Sequence, residues 1–243
     1  AVAAGARDFT VWCPGEKLSS LPSLPHARGL ALTVTDREAE ALAPVARLPK
    51  LVAVDLFGCS ELNDLRPLAI LAELTALDLT ICDAVADIQP LAVLKRLRFL
   101  SLWGCDKVQD IAALAPLRRL ERLNLDACAR ISDLRPLARM ERLTHLHLFG
   151  CESVEDLSPL AGLMQLRQLH LGRCRRISDL RPLANLRRLA HLELLDCPRV
   201  TDLEPLRRLA NLTELDLGAC REVSDLSPLE GMHELVKLNL TDC

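Results

Sequence analysis

Leucine returns along most of this chain in a fixed rhythm. From Cys128 the residues read CARISDLRPLARMERLTHLHLFG, and the apolar positions Ile131, Leu134, Leu137, Met140, Leu143, Leu146 and Leu148 recur one unit later as Val154, Leu157, Leu160, Leu163, Leu166, Leu169 and Leu171. Within L-x-L-x-x the two leucines alternate with a period of two, as a half-buried strand requires. The D-[LI]-x-P-L stretch predicts a short helix or 3₁₀ turn, with Asp133 and its equivalents as caps and Pro136 and its equivalents in the first turn, where a missing N–H costs little. Ala113 takes the proline's place in one unit, and the turn is expected to survive there.

Nine cysteines set the period. Cys59, Cys82, Cys105, Cys128, Cys151, Cys174, Cys197, Cys220 and Cys243 each follow the last by 23 residues, and eight units fit the pattern C-x-x-[VIL]-x-D-[LI]-x-x-L-x-x-[LM]-x-x-L-x-x-L-x-L-x-x. A weaker ninth unit starts at Asp36, with Pro44, Val45, Leu48, Leu51, Val54 and Leu56 in phase. Such a period means a stacked-repeat solenoid. The expected fold is an α/β repeat solenoid, a curved rod with a parallel sheet at ~4.8 Å strand spacing on the concave face and short helices or 3₁₀ turns on the convex face. Residues 36–243 are read as a single solenoid domain of about nine units, and residues 1–35 as an irregular N-terminal cap. In that cap Phe9, Val11, Leu32 and Val34 suggest two strand-like segments, whereas LSSLPSLPHARG breaks the period.

These residues resemble the leucine-rich repeats over roughly residues 30–243. D-L-x-P-L-A-x-L-x-x-L is similar to the internalin and SDS22-like classes, and cysteine in place of their usual asparagine is similar to the cysteine-containing class. The resemblance implies a module that binds a protein or peptide on its concave face. A repeat module of this kind also resembles the sensing region of bacterial NLR-like signalling NTPases, which implies an intracellular, cytoplasmic setting. An SDS22-like regulatory scaffold and an engineered repeat protein without a native ligand stay open beside it. The chain starts without Met and stops just after a strand, so a longer parent protein with further domains is expected.

Composition narrows the function classes. With 243 residues, 50% hydrophobic and 26% charged, the chain builds a real core. A net charge of -3 argues against a nucleic-acid partner. The sequence has no apolar run long enough to span a membrane, and its start lacks signal-peptide architecture. None of the phosphate-loop, nucleophile-elbow, zinc-protease or dinucleotide motifs occurs, so the expectation is no enzyme and no cofactor. The cysteine column reads as free, buried and structural, because a line of thiols neither pairs throughout nor converges on a metal. The column Asp64, Asp87, Asp110, Asp133, Asp156, Asp179, Asp202 and Asp225 reads as caps rather than calcium ligands.

Function is expected at the outward-facing strand positions, which the framework does not dictate. Four of the six aromatic residues, Phe57, Phe99, Trp103 and Phe149, stand there, where folding asks for no large apolar group. Four of the six histidines, His145, His147, His170 and His191, lie on three consecutive strands. His147, His170 and Glu193 share one column, a set with zinc-ligand chemistry, although a polar and pH-sensitive recognition surface is the preferred reading and no metal is expected. Glu193, Glu214 and Asp216 make the C-terminal third acidic. A partner with an apolar knob and a basic end would be complementary.

Overall fold

The computed structural model describes residues 42–243, the backbone of residues 10–13 and 31–34, and Ser23. Among the described residues eleven strands follow one another: β1 (Thr10–Cys13), β2 (Ala31–Val34), β3 (Ala53–Asp55), β4 (Ala76–Asp78), β5 (Phe99–Ser101), β6 (Arg122–Asn124), β7 (His145–His147), β8 (Gln168–His170), β9 (His191–Glu193), β10 (Glu214–Asp216) and β11 (Lys237–Asn239). The chain forms two compact units, Ala1–Leu123 and Asn124–Cys243, with the division inside β6.

In the first unit β1 to β5 pair in sequence order and all in parallel. In the second, β7 to β11 do the same. Each is a stretch of solenoid in which one turn of chain adds one strand. Register follows the period, with Ala53 beside Ala76 and Phe99 in the first unit and His147 beside His170 and Glu193 in the second. β1 and β2 fall on the segments that Val11, Leu32 and Val34 pointed to, while Phe9, Asp36 and nearly all of LSSLPSLPHARG lie outside the described residues.

Three-residue strands suffice because the ladder runs on past them. Leu56 N–H donates to Asp78 O at 2.9 Å and Gly58 N–H to Thr80 O at 2.8 Å; Leu148 N–H donates to His170 O at 2.8 Å in the second unit. As far as Leu217 the framework leucines stack behind the strands, fully buried, each contributing about 2 kcal/mol through the apolar surface withdrawn from water, whereas Leu226 and Leu238 in the last turn are exposed.

On the far side of each turn the helical segments are all 3₁₀ among the described residues. Five residues at most, with a proline in nearly every turn, leave no room for an α-helical ladder. The aspartate column caps these turns as expected, but one residue earlier than a standard N-cap. Asp64 Oδ1 accepts the Arg66 N–H at 2.9 Å, and Asp133 does the same for Arg135 and Asp179 for Arg181. Each carboxylate satisfies a donor that the short turn leaves orphaned. The turn Ala112–Leu114 forms without its proline, held by the Asp110 carboxylate on Ala112 N–H at 2.7 Å.

Eight column cysteines are free thiols buried in the core, as read from the sequence. Cys243 departs from that reading: it is exposed, because no turn of the described chain lies over it. Six of these thiols donate to a carbonyl of the preceding turn. Cys82 Sγ donates to Leu56 O at 3.2 Å, a carbonyl that also takes the Cys59 N–H at 3.1 Å. Cys105, Cys151, Cys174, Cys197 and Cys220 repeat the bond. Among the described residues no helix is long and apolar enough to cross a membrane.

Candidate functional site

From β3 to β11 each strand turns its first and third residues away from the leucine core, and the next outward residue follows two positions on. The middle column of this face is more constrained than the sequence suggests. Asp55 Oδ1 accepts the Phe57 N–H at 3.0 Å, Asp78 Oδ1 the Thr80 N–H at 2.9 Å, Asn124 Oδ1 the Asp126 N–H at 2.8 Å and Asp216 Oδ1 the Gly218 N–H at 2.8 Å. A short polar side chain there closes the strand by bonding the N–H two residues on. Asp216, expected to serve a partner, therefore has a structural task, and it also accepts Asn239 Nδ2 at 2.9 Å. His147, His170 and Glu193 break this rule. None of the three types replaces the turn-closing group, and all are in register on β7, β8 and β9.

What they form instead is a chain of titratable groups in the second unit. The imidazoles of His147 and His170 stack 4.0 Å apart at 6°. His147 Nδ1 lies 3.8 Å from Asp126 Oδ2, and His170 Nδ1 lies 3.4 Å from Glu193 Oε2. Burial pushes the Asp126 carboxyl up to about 6, against the lowering effect of the Phe149 N–H it accepts at 2.7 Å. Burial also raises Glu193, with Asp216 and Asp126 adding to the effect, and lowers His170, with His191 adding to it. All are cases of a charged form losing its water. His191 Nδ1 meets Gln168 Nε2 at 3.2 Å and its Nε2 lies 3.7 Å from Glu214. Glu214 is held by Lys237 at 2.6 Å, so the C-terminal acidity expected from the sequence is partly neutralised. His145 Nδ1 sits 2.7 Å from Thr144 Oγ1.

Glycine shapes this surface. A Cβ on Gly172 would stand 2.6 Å from Glu193 Oε1 and 2.7 Å from the Phe149 ring, so the missing side chain lets both lean across the β8 turn. Arg173 covers the Phe149 ring from 5.4 Å, a cation–π contact that leaves Phe149 half-buried. Beside the histidines a cleft of about 540 Å³ opens, lined by His170, His191, Glu193, Glu214, Asp216, Lys237 and Asn239 among others. The stacked rings lie side by side rather than converging, and among the described residues no group of three or more His, Cys, Asp or Glu is arranged to hold a metal ion.

The first unit carries a different surface. Phe57 is 51% exposed and Trp103 45%, with one turn between theirs, whereas Phe99 is half-buried. Between them the sequence offers Thr80, which is buried and bonds Ser101 Oγ at 2.7 Å. The exposed apolar group of that turn is Ile81, 38% exposed and missed by the strand pattern because it lies one residue beyond the outward column. Its position has left-handed backbone in each turn from Gly58 to Asp242: Gly58, Gly104 and Gly150 have φ of 73°, 74° and 72°, and Ile81 has 57°. For a β-branched residue that conformation costs roughly 1–2 kcal/mol. The signal available in the sequence is a β-branched residue in a column otherwise made of Gly, Ala, Asp and Arg.

The sequence matches no family profile and no curated protein. Among solved structures it is similar to an internalin C2 from Listeria monocytogenes strain 4b F2365, with 30% identity, a TM-score of 0.71, and coverage of 81% of this chain and 83% of that one. The chain belongs to the leucine-rich-repeat family. It is also similar to the internalin inlF of the same strain, at 30% identity and a TM-score of 0.67, covering 82% of this chain and spanning 63% of that one. As a leucine-rich-repeat protein it is a repeat module of the protein-interaction type. Its individuality lies in the departures from the repeat: Ile81 in the first unit, and the His147, His170, Glu193 run in the second.

Proposed function

We propose that this chain is a non-catalytic recognition module that holds a protein or peptide ligand on the outward face of its strands. The observation that carries this is the break in the middle column, where His147, His170 and Glu193 displace the turn-closing Asp, Asn or Ser and lie beside the half-buried Phe149. Framework economy does not call for partly desolvated carboxylates and imidazoles at those positions, and perturbed groups gathered beside a cleft are a mark of function. His145, His191, Glu214 and Asp216 extend that face within the second unit, and Phe57, Phe99 and Trp103 take the corresponding outward positions on the first. The internalin likenesses support a recognition role, and a cytoplasmic module sensing a ligand for an NLR-like receptor would use the same residues. The test is capture from a lysate with three baits: wild type, a Phe149→Glu, His170→Ala variant, and Met164→Ser, which alters an exposed residue outside the strands. A partner kept by wild type and Met164→Ser but lost by the face variant is expected; equal recovery by all three baits would exclude the face.

A further inference from the structure

Ile81 is held in a left-handed backbone at φ 57° while its side chain stays partly in water, so burial does not offset the strain. Strain kept without a folding return points to use. Gly104 in the next turn helps to display it: the position a Cβ would take on Gly104 lies 3.6 Å from Ile81 Cγ1, so the isoleucine lies flat over the glycine. Phe57 and Trp103, both exposed, stand in the turns before and after, which gives three large apolar groups side by side on the first unit. Monomeric surfaces seldom gather such groups except where something docks.

Charge selects what docks. Asp55 and Asp78 are paired in register on β3 and β4, directly under the Phe57 and Thr80 turns. Each uses one oxygen to close its own turn, which leaves its second carboxylate oxygen outside that bond. Asp55 is partly withdrawn from water and lies close enough to feel Asp78, and no salt bridge to either carboxylate is formed among the described residues. Two adjacent like charges beside an apolar ridge are complementary to a segment that brings a bulky apolar side chain and a cation together.

We propose that Phe57, Ile81 and Trp103, with Asp55 and Asp78, form a docking ridge for an extended peptide segment carrying a bulky apolar residue within a few positions of Arg or Lys. This rests on the recognition reading above and names the partner's chemistry for one part of the face. Ile81 supplies the central apolar contact, and the two carboxylates take the cation.

The experiment is selection of a phage-displayed random peptide library on the whole chain, followed by affinity measurements of the enriched peptides as synthetic ligands. Enrichment of apolar-plus-basic sequences is expected. Their binding should weaken at least about tenfold in Ile81→Gly, a variant that relieves the backbone and keeps the fold. It should also weaken, and lose its salt dependence, in Asp55→Asn with Asp78→Asn, which retain the turn-closing oxygen. Acidic or purely apolar consensus sequences, or peptides that bind Ile81→Gly as tightly as wild type, overturn the ridge. So does self-association of the wild type that Ile81→Gly abolishes, which would make the occupant a second copy. If the peptides instead lose affinity only in the Phe149→Glu, His170→Ala variant, the ridge is wrong while the recognition reading stands; an empty selection also overturns the ridge and leaves that reading to the capture experiment.

Discussion

His147 and His170 stack face to face at 4.0 Å, with Asp126 beyond one ring and Glu193 beside the other. Two protonated imidazoles at that distance would repel by roughly 1 to 4 kcal/mol, so the pair takes its first proton far more readily than its second.

His170 is accordingly expected to titrate below the ordinary histidine range, through burial first and the neighbouring His191 second. A folded-state value below the unfolded one means stability that is present above about pH 6.5 and lost as pH falls through the folded value. NMR titration of the imidazole signals checks the first point, and His170→Gln should flatten the loss of stability on the acid side. A His170 signal titrating at or above the ordinary range would refute the stacked, desolvated arrangement.

Asp126 acts in the opposite sense. With its carboxyl pushed up to about 6, the folded state holds the proton more tightly than the unfolded chain does. Its contribution is present below the ordinary carboxylate range and is lost as pH rises through about 6. Asp126→Asn keeps an oxygen for the Phe149 N–H and removes the desolvated charge. The variant should therefore gain about 1–3 kcal/mol over wild type at pH 8, with the gap closing toward pH 4, measured by urea denaturation across that range.

The cysteine column should resist chemistry. Burial pushes the Cys105 and Cys174 thiols up to about 12 and Cys220 to about 11, so no thiolate is present near pH 8. Alkylation of the native protein followed by peptide mapping should modify Cys243 quickly and the eight buried cysteines only on unfolding. Cys151→Ser keeps a donor for Leu125 O and should cost about 1 kcal/mol; Cys151→Asp buries an uncompensated charge and should cost at least about 3 kcal/mol. Rapid native labelling of the whole column is the result that would contradict burial.

Gly172→Ala tests the lean of Phe149 and Glu193 across the β8 turn. The new methyl would overlap both, at 2.7 and 2.6 Å, and both are side chains that can swing away. Stability should fall by only about 1–2 kcal/mol, while the His170 titration shifts as the Glu193 carboxylate leaves its side. An unchanged His170 titration would show that Glu193 had not been held there.

Solenoid, strand positions, turn-capping aspartates and the buried thiols were all legible in the sequence, because each depends on one residue type recurring every 23 positions. A repeat of that length specifies its own neighbours, since turn n always packs on turns n−1 and n+1. The candidate site was legible only in part. Phe57, Trp103 and the His147, His170, Glu193 column could be picked out as departures from the pattern, but nothing in the sequence showed that Asp216 also closes its turn through the Gly218 N–H.

What the sequence determined by itself is therefore the periodic part: which leucines face inward, where each strand stands, and which cysteines lie in line. Only the tertiary structure decided how the irregular residues use the space that periodicity leaves. The stacking of His147 on His170, the desolvation of Asp126, the lean over Gly172 and the left-handed display of Ile81 depend on side-chain directions and backbone angles between neighbouring turns. Such pairwise contacts occur once, so no repetition in the sequence announces them.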